Sequence, residues 1–236
     1  MNIKNETVQR LTHCRLAVID GTWPFAQRHA AAIDAHFVDA TQRNPKFFDG
    51  DVFVVNQWSV EEGVLEGQSH GAKFSAYYYW RENNHDSGET EEAFAVSVVK
   101  SFDGGVLLVL AVPGTLNAGQ YCAPGGLLDR RDLGSDGLLD LAGAAARELK
   151  EETGLSAADM TREPGYFLAY VAPFFGIASV FCSDQTGDAL LSSVEQSLGA
   201  EAQPEIEAPC VVYEVAELNA LPMTPIARLL CEAALV

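Results

Sequence analysis

The sequence predicts an α/β protein in which strands enclose one internal helix and a second helix closes the chain. Apolar, β-branched stretches such as AFAVSVV and VLLVLAV are bounded by turn residues, which is typical of buried strands. LDLAGAAARELKEETG has the two ends of a helix, with Asp140 as N-cap and Gly154 as a left-handed C-cap residue. TPIARLLCEAAL begins with Thr224 and Pro225, which indicates the start of a closing helix.

A polar, turn-rich stretch, NNHDSGETEE, divides the chain near residues 83–92. We expect a smaller α+β region over residues 1–87 and a second domain over residues 88–236. In the first region, the apolar spacing after Thr22 predicts a helix that ends at Asn44-Pro45. Three strands are then expected in DVFVVNQWSV, EGVLEGQ and KFSAYYYWRE, with EEG as a hairpin turn. The aromatic cluster from Tyr77 to Trp80 suits the core, a dimer face or a base-stacking wall, and the core is the default.

The second domain is predicted to begin with a central β-hairpin that turns at Asp103-Gly104-Gly105. GYFLAYVAPFFGIASVFCSD supplies one or two further strands, and APCVVYEVAEL supplies the last main strand. Predicted strands therefore both precede and follow the internal helix in the sequence.

Composition limits the classes of function. With 236 residues and 48% hydrophobic content, the chain can form one large or two modest domains. No apolar run has the ~18–20 residues of a membrane span, the first residues lack a signal-peptide core, and five scattered cysteines favour a reducing cytoplasm. A net charge of −18 argues against nucleic acid or anionic membrane as a partner. A homodimer remains compatible with the sequence.

Three carboxylates lie on one side of the internal helix. Glu148, Glu151 and Glu152 are spaced i, i+3 and i+4, whereas Ala145 and Leu149 point to the opposite side. Such like charges destabilise an isolated helix by roughly 0.2–0.5 kcal/mol per pair. A hard divalent cation such as Mg²⁺ would turn this repulsion into a set of ligands, although glutamate pairs on helices are commonly just solvated.

A glycine-rich turn, APGGLLD, precedes this helix. Together with R-E-L-x-E-E-x-G-L from Arg147 to Leu155, it resembles the Nudix box, G-x5-E-x7-R-E-U-x-E-E-x-G-U, where U is aliphatic. The second half matches at every specified position. Counted back from Arg147, the family's first glutamate would fall on Leu139 and its glycine on Leu133, so DRRDLGSDG reads as a loop insertion and the first glutamate as lost.

The resemblance implies a Nudix-type α/β/α sandwich with a mixed sheet and a hydrolase that cleaves a nucleoside diphosphate linked to another group. It implies Mg²⁺ or Mn²⁺ held by Glu148, Glu151 and Glu152, with Glu148 or a loop glutamate as base. Arg147 is expected to orient these carboxylates.

The same resemblance assigns roles around the helix. Gly125 and Gly126 would let the backbone approach the metal and phosphates, and Arg130 and Arg131 would contact a phosphate or remain surface charges. A further carboxylate is expected among four residues of a loop-like segment, namely Glu195, Glu201, Glu205 and Glu207.

The substrate is left open by the sequence. The two-part organisation resembles nucleotide-sugar and ADP-ribose pyrophosphatases, whose substrates are small nucleoside diphosphate derivatives. Alternatives are a pyrophosphatase for coenzyme A or dinucleoside polyphosphates, and a catalytically weak nucleotide-binding module that keeps the box as part of its fold.

Overall fold

The computed structural model describes residues 3–83, 90–200 and 204–236. The divide predicted near residues 83–92 and the candidate Glu201 therefore lie partly or wholly outside the described residues. The strands are β1 (Thr7–Leu11), β2 (His13–Ile19), β3 (Asp51–Glu61), β4 (Val64–Lys73), β5 (Glu91–Lys100), β6 (Val106–Ala111), β7 (Tyr121–Cys122), β8 (Gly125–Leu127), β9 (Thr161–Arg162), β10 (Tyr166–Val171), β11 (Phe174–Cys182) and β12 (Ile206–Val212).

The helices of the described residues surround this set of strands. They are α1 (Pro24–Arg28), α2 (Ala30–Arg43), α3 (Phe74–Glu82), α4 (Leu141–Thr153), α5 (Gly187–Ala200), α6 (Val215–Leu218) and α7 (Pro225–Leu235). Two short 3₁₀ turns span Arg130–Asp132 and Ala157–Asp159. No helix of the described part of the chain is long and apolar enough to cross a membrane.

The strands form one mixed, continuous sheet. Its main path runs β1-β10-β11-β5-β3-β4-β2, with β11 parallel to β5 and β2 parallel to β4. β6 and β12 extend from β5, and β8 pairs with β5 through Ala95 and Gly126. Strands from the first 83 residues therefore pair directly with strands that follow residue 90, since β1 joins β10 and β3 joins β5.

Helices cover both faces of the central strands, so the predicted α/β fold with a mixed sheet is confirmed. Side chains of β5 point to both faces of the sheet, and each face packs against helices. Ala93 and Ala95 pack with α4 and α5, whereas Val96 and Val98 pack with α7. Ser97 is fully buried and donates a hydrogen bond to the Ala145 carbonyl at 2.7 Å, which fixes α4 on the sheet.

The ends of α4 and the start of α7 agree with the sequence prediction, because their capping residues are close in sequence to the groups that they cap. Asp140 accepts a hydrogen bond from the Gly143 amide at 2.9 Å, and Gly154 ends α4 with φ 74°. Thr224 caps α7 in the same way, at 3.2 Å from the Ala227 amide. The EEG turn is also present, with Glu62 and Gly63 both at positive φ between β3 and β4.

Three predictions about local structure are wrong. KFSAYYYWRE contains helix α3 rather than a strand, because Ala76, Tyr77 and Trp80 are buried at helical spacing and the Asp49 carboxylate accepts from the Ser75 amide at 2.7 Å. The helix expected after Thr22 is two helices that meet at His29, and its first turn lacks a side-chain cap. The segment expected to be loop-like begins inside α5.

A separate cluster of buried side chains, half of them aromatic, joins α1, α2 and α3 to β3. It contains Trp23, Phe25, Ile33, Val52, Val54, Ala76, Tyr77 and Trp80. The Tyr77 hydroxyl donates to the buried Glu92 carboxylate at 2.6 Å, and Arg81 also contacts Glu92. This placement confirms the prediction that the aromatic cluster from Tyr77 to Trp80 belongs to the core.

Candidate active site

The candidate site is built on β8 and the second half of α4. The Gly125 amide donates a hydrogen bond to Glu152 Oε2 at 3.0 Å. A Cβ atom on Gly126 would lie 2.6 Å from Glu148 Oε1, so only glycine leaves room for this carboxylate. The two adjacent glycines therefore bring two of the box carboxylates against one short strand.

Arg147 is the centre of the charge network. Its guanidinium donates to Glu148 Oε1 at 2.6 Å, to Glu151 Oε2 at 3.0 Å and to both carboxylate oxygens of Asp132 at 3.0 Å. Burial would lower the pKa of Arg147, but the charges of Glu148 and Asp132 raise it above its ordinary value. Arg147 consequently stays charged and orients the carboxylates on α4.

Asp132 changes the alignment of the box with the family pattern. The sequence placed the first glutamate on Leu139, but Leu139 is 4% exposed and packs in the core. Asp132 is also 4% exposed, lies six positions after Gly126 and pairs with Arg147. The insertion therefore follows the acidic position, and an aspartate stands where the family has its first glutamate. Counting forward from Gly126, rather than back from Arg147, would have found it.

Asp129 and Asp132 hold the turn that carries this carboxylate. The Asp129 amide donates to Asp132 Oδ2 at 2.9 Å, and the Arg131 amide donates to Asp129 Oδ1 at 2.7 Å. This reciprocal pair is a capping box on the 3₁₀ turn. The remainder of the insertion is pinned to β2, since the Leu139 amide donates to the Leu16 carbonyl at 2.9 Å.

The two arginines of the loop point to different partners. Arg131 binds Asp129 and reaches Glu151 Oε1 on α4 at 2.9 Å. Arg130 pairs instead with Asp51 at the start of β3, at 2.8 Å, and its side chain is 77% exposed. Arg131 thus belongs to the carboxylate network, whereas Arg130 links the loop to the N-terminal part of the sheet.

Glu152 is in the most negative environment of the three box glutamates. Burial raises its pKa to about 8, and the nearby charges of Glu148 and Glu205 act in the same direction. Of the three candidates among the described residues, Glu205 is the one whose charge acts on Glu152. Glu195 lies in α5 and Glu207 in β12, where it pairs with Leu110.

The donor set fits a hard divalent cation. Glu148 and Glu152 supply carboxylate oxygens, and their repulsion together with the raised pKa of Glu152 is what a bound cation would relieve. Within residues 3–83, 90–200 and 204–236, no three acidic, histidine or cysteine side chains already converge as a metal cluster.

Comparison with known proteins gives the class of this site. Residues 91–232 match the model of the NUDIX domain, which is more than half of the chain. The chain therefore belongs to the Nudix family and is a Nudix hydrolase. Membership implies hydrolysis of a pyrophosphate bond in a small nucleoside diphosphate derivative.

Several solved structures are similar to this chain at low identity. The MutT protein of Methanosarcina mazei is 19% identical, with 61% of this chain and 92% of that chain covered and a TM-score of 0.40. A NUDIX hydrolase from Nitrosomonas europaea is also 19% identical, with 61% and 87% covered and a TM-score of 0.39. RenU, a Nudix hydrolase from M. smegmatis, is 16% identical, with 58% and 79% covered and a TM-score of 0.37. A comparison with curated proteins gives no match.

Proposed function

We propose that the protein hydrolyses, with Mg²⁺ or Mn²⁺, the pyrophosphate bond of a nucleoside diphosphate linked to a sugar or ribose phosphate. The observation that carries this proposal is the approach of Glu148 and Glu152 to Gly125 and Gly126. A pyrophosphate bound on β8 would lie next to both the glycine backbone and the carboxylates of Glu148 and Glu152. The cation is needed because the chain is strongly acidic and would otherwise repel the substrate.

Glu148, Glu151 and Glu152 are the proposed metal ligands. When bound, the cation neutralises phosphate oxygens and lowers the pKa of a coordinated water. Arg147 holds Glu148 and Glu151 in position through the hydrogen bonds described above, and it is a positioning residue rather than a substrate contact. Arg131 is the proposed phosphate contact, which is supported by its exposed guanidinium next to Glu151.

Glu205 is the proposed acceptor of the proton from the attacking water, with Glu148 as the alternative. Glu205 is exposed, and its charge acts on Glu152 from the segment that leads into β12. It makes a better base than Glu148, whose carboxylate is already engaged with Arg147.

Asp132 supports catalysis over a binding module that keeps only the fold. The binding-module alternative relied on the absence of the family's first acidic residue, and Asp132 supplies a buried carboxylate to Arg147. With Asp132 paired to Arg147, the arginine has an acidic partner in the loop as well as its partners Glu148 and Glu151 on α4.

A substrate panel tests the proposal. Nucleotide sugars, ADP-ribose, coenzyme A and dinucleoside polyphosphates are incubated with Mg²⁺, Mn²⁺ or a chelator, and phosphate is measured after phosphatase treatment of the products. We expect metal-dependent release that is fastest with a nucleotide sugar or ADP-ribose. Release from no compound, or equal release with the chelator, would remove the proposed activity.

A further inference from the structure

An exposed aromatic ring lies beside the candidate site and plays no part in the chemistry proposed above. Phe48 is 81% exposed, although it belongs to the segment that joins α2 to β3 in a well-packed region. The ring borders a surface pocket of about 370 Å³. The side chains that form this pocket include Phe48, Asp51, Phe74, Leu127, Arg130 and Arg131.

The backbone that directly follows Phe48 is hydrogen-bonded to the start of α3. The next residue, Asp49, accepts a hydrogen bond from the Ser75 amide at 2.7 Å, and the Gly50 carbonyl accepts from the Phe74 amide at 2.8 Å. The Phe48 ring also lies against Gly50, where a Cβ atom would be 3.2 Å from the ring. The exposed ring is therefore mounted on a fixed backbone, which reduces the entropy lost when a ligand stacks on it.

The pocket combines apolar surface with both signs of charge. Phe74 and Leu127 give apolar contact surface, and the ion pair between Arg130 and Asp51 forms a polar edge that can donate and accept hydrogen bonds. Its volume falls in the range of roughly 300–1,000 Å³ that is usual for small-molecule sites. An aromatic ring, apolar surface and paired donors and acceptors suit a flat heterocycle with polar edges.

The pocket is continuous with the catalytic carboxylates. Arg131 lines it and at the same time binds Glu151 at 2.9 Å. Leu127 lines it and directly follows Gly126 on β8. A ligand that places its diphosphate on β8 can therefore place an adjoining group in this pocket.

We propose that this pocket binds the nucleobase of the substrate, with the base stacked on Phe48 and its edge against Asp51 and Arg130. This inference rests on the proposed function and assigns its base-binding site to the N-terminal part of the chain. Phe48 is then a specificity residue, and strand β3, which follows its segment, pairs with β5 next to β8.

The test measures binding, so that it does not depend on turnover. AMP, GMP, UMP and CMP are titrated by calorimetry in parallel with ribose 5-phosphate, which has no base. The proteins are the wild type, Phe48→Ala, Phe48→Tyr and the control Phe102→Ala, which removes another exposed ring (76% exposed) that does not line the pocket. Melting temperatures and light scattering are recorded for all four.

We expect the wild type to bind at least one nucleoside monophosphate more tightly than ribose 5-phosphate. Phe48→Ala should weaken that nucleotide by about 10-fold and leave ribose 5-phosphate unchanged, because stacking involves only the base. Phe48→Tyr and Phe102→Ala should both bind like the wild type.

Three results would overturn the proposal. The first is equal affinity of the wild type for the nucleotides and ribose 5-phosphate. The second is equal nucleotide affinity in the wild type and Phe48→Ala. The third is a dimer that Phe48→Ala converts to monomers with nucleotide affinity intact, since the ring would then face a second copy of the chain. Each of these results can occur while the compounds of the substrate panel are still hydrolysed. Conversely, base-dependent binding can occur when none of them is hydrolysed. Failure of this proposal is therefore distinguishable from failure of the proposed function.

Discussion

Asp132 and Arg147 form a buried ion pair that joins the inserted loop to the catalytic helix. Arg147 Nη2 lies 3.0 Å from each carboxylate oxygen of Asp132, and its Nε lies 3.2 Å from Oδ1. The side chains are only 2% and 17% exposed for Asp132 and Arg147, respectively. The loop can therefore be longer than in the family pattern while the charge that faces Arg147 is kept.

Asp132→Ala should destabilise the protein by roughly 1.5–3 kcal/mol, because it removes the carboxylate that accepts hydrogen bonds from Nε and Nη2 of the partly buried Arg147. Asp132→Glu keeps the charge and should be milder. The control is Asp159→Ala, an exposed position that should change stability by less than about 0.5 kcal/mol. Thermal unfolding measures all three, and equal melting temperatures for Asp132→Ala and wild type would contradict the structural role.

Glu152→Gln should lower kcat by a factor of about 10² or more and leave the fold intact, because the amide keeps the size of the side chain but not the charge that a metal needs. Glu195→Gln, on the exposed side of α5, is the matched control and should turn over like wild type. Steady-state rates and circular dichroism make the comparison. A wild-type rate in Glu152→Gln would place the metal elsewhere.

The raised pKa of Glu152 predicts a pH dependence of stability. In the unfolded chain its carboxyl ionises near 4.5, whereas burial holds the folded pKa at about 8. Between these values the unfolded state releases a proton that the folded state retains, so rising pH disfavours the folded state. The metal-free wild type should therefore lose melting temperature relative to Glu152→Gln as pH rises from 5 to 8.

Added Mg²⁺ should reverse this loss, and more strongly at pH 8 than at pH 5, because the cation needs the ionised carboxylate. Melting curves of both proteins at each pH, with and without the cation, make the measurement. A pH-independent difference between the two proteins would show that Glu152 ionises normally in the folded state.

Leu139→Glu should bring no gain in turnover. Asp132 already supplies an acidic group to Arg147, and Leu139 is a core residue at 4% exposure. A buried carboxylate there should cost about 3 kcal/mol or more, whereas Leu139→Met should cost less than about 1.5 kcal/mol. The comparison requires kcat against Mg²⁺ concentration and melting temperatures. A rise in kcat or metal affinity would mean that Asp132 does not fill the role.

Expression of residues 88–236 alone should give an aggregating or inactive fragment. The truncation removes β1 and β3, which pair with β10 and β5, and so exposes strand edges and apolar core. The full chain, expressed in parallel, is the control. Soluble yield and turnover of the two proteins decide the matter, and a soluble, fully active 88–236 fragment would show that the first part of the chain is dispensable.

The sequence by itself determined the α/β class, helix α4 with its caps, and the three glutamates on one side of it. These features depend on interactions within a few residues, namely the Asp140 cap, the Gly154 turn and the 3.6-residue period. The second half of the box is also contiguous, so its match to the family needed no knowledge of the fold.

Only the tertiary structure decided which carboxylate faces Arg147, which loop glutamate acts on Glu152, and where Phe48 lies. Each of these features depends on groups that are far apart in the chain. For Asp132 in particular, an inserted loop of unknown length prevents the position from being found by counting back from Arg147. Helix α3 shows the same limit, because its aromatic residues favour strands locally and become helical through packing on β3 and the cap from Asp49. Local interactions thus specify helix α4, and long-range packing specifies the side chains that surround its carboxylates.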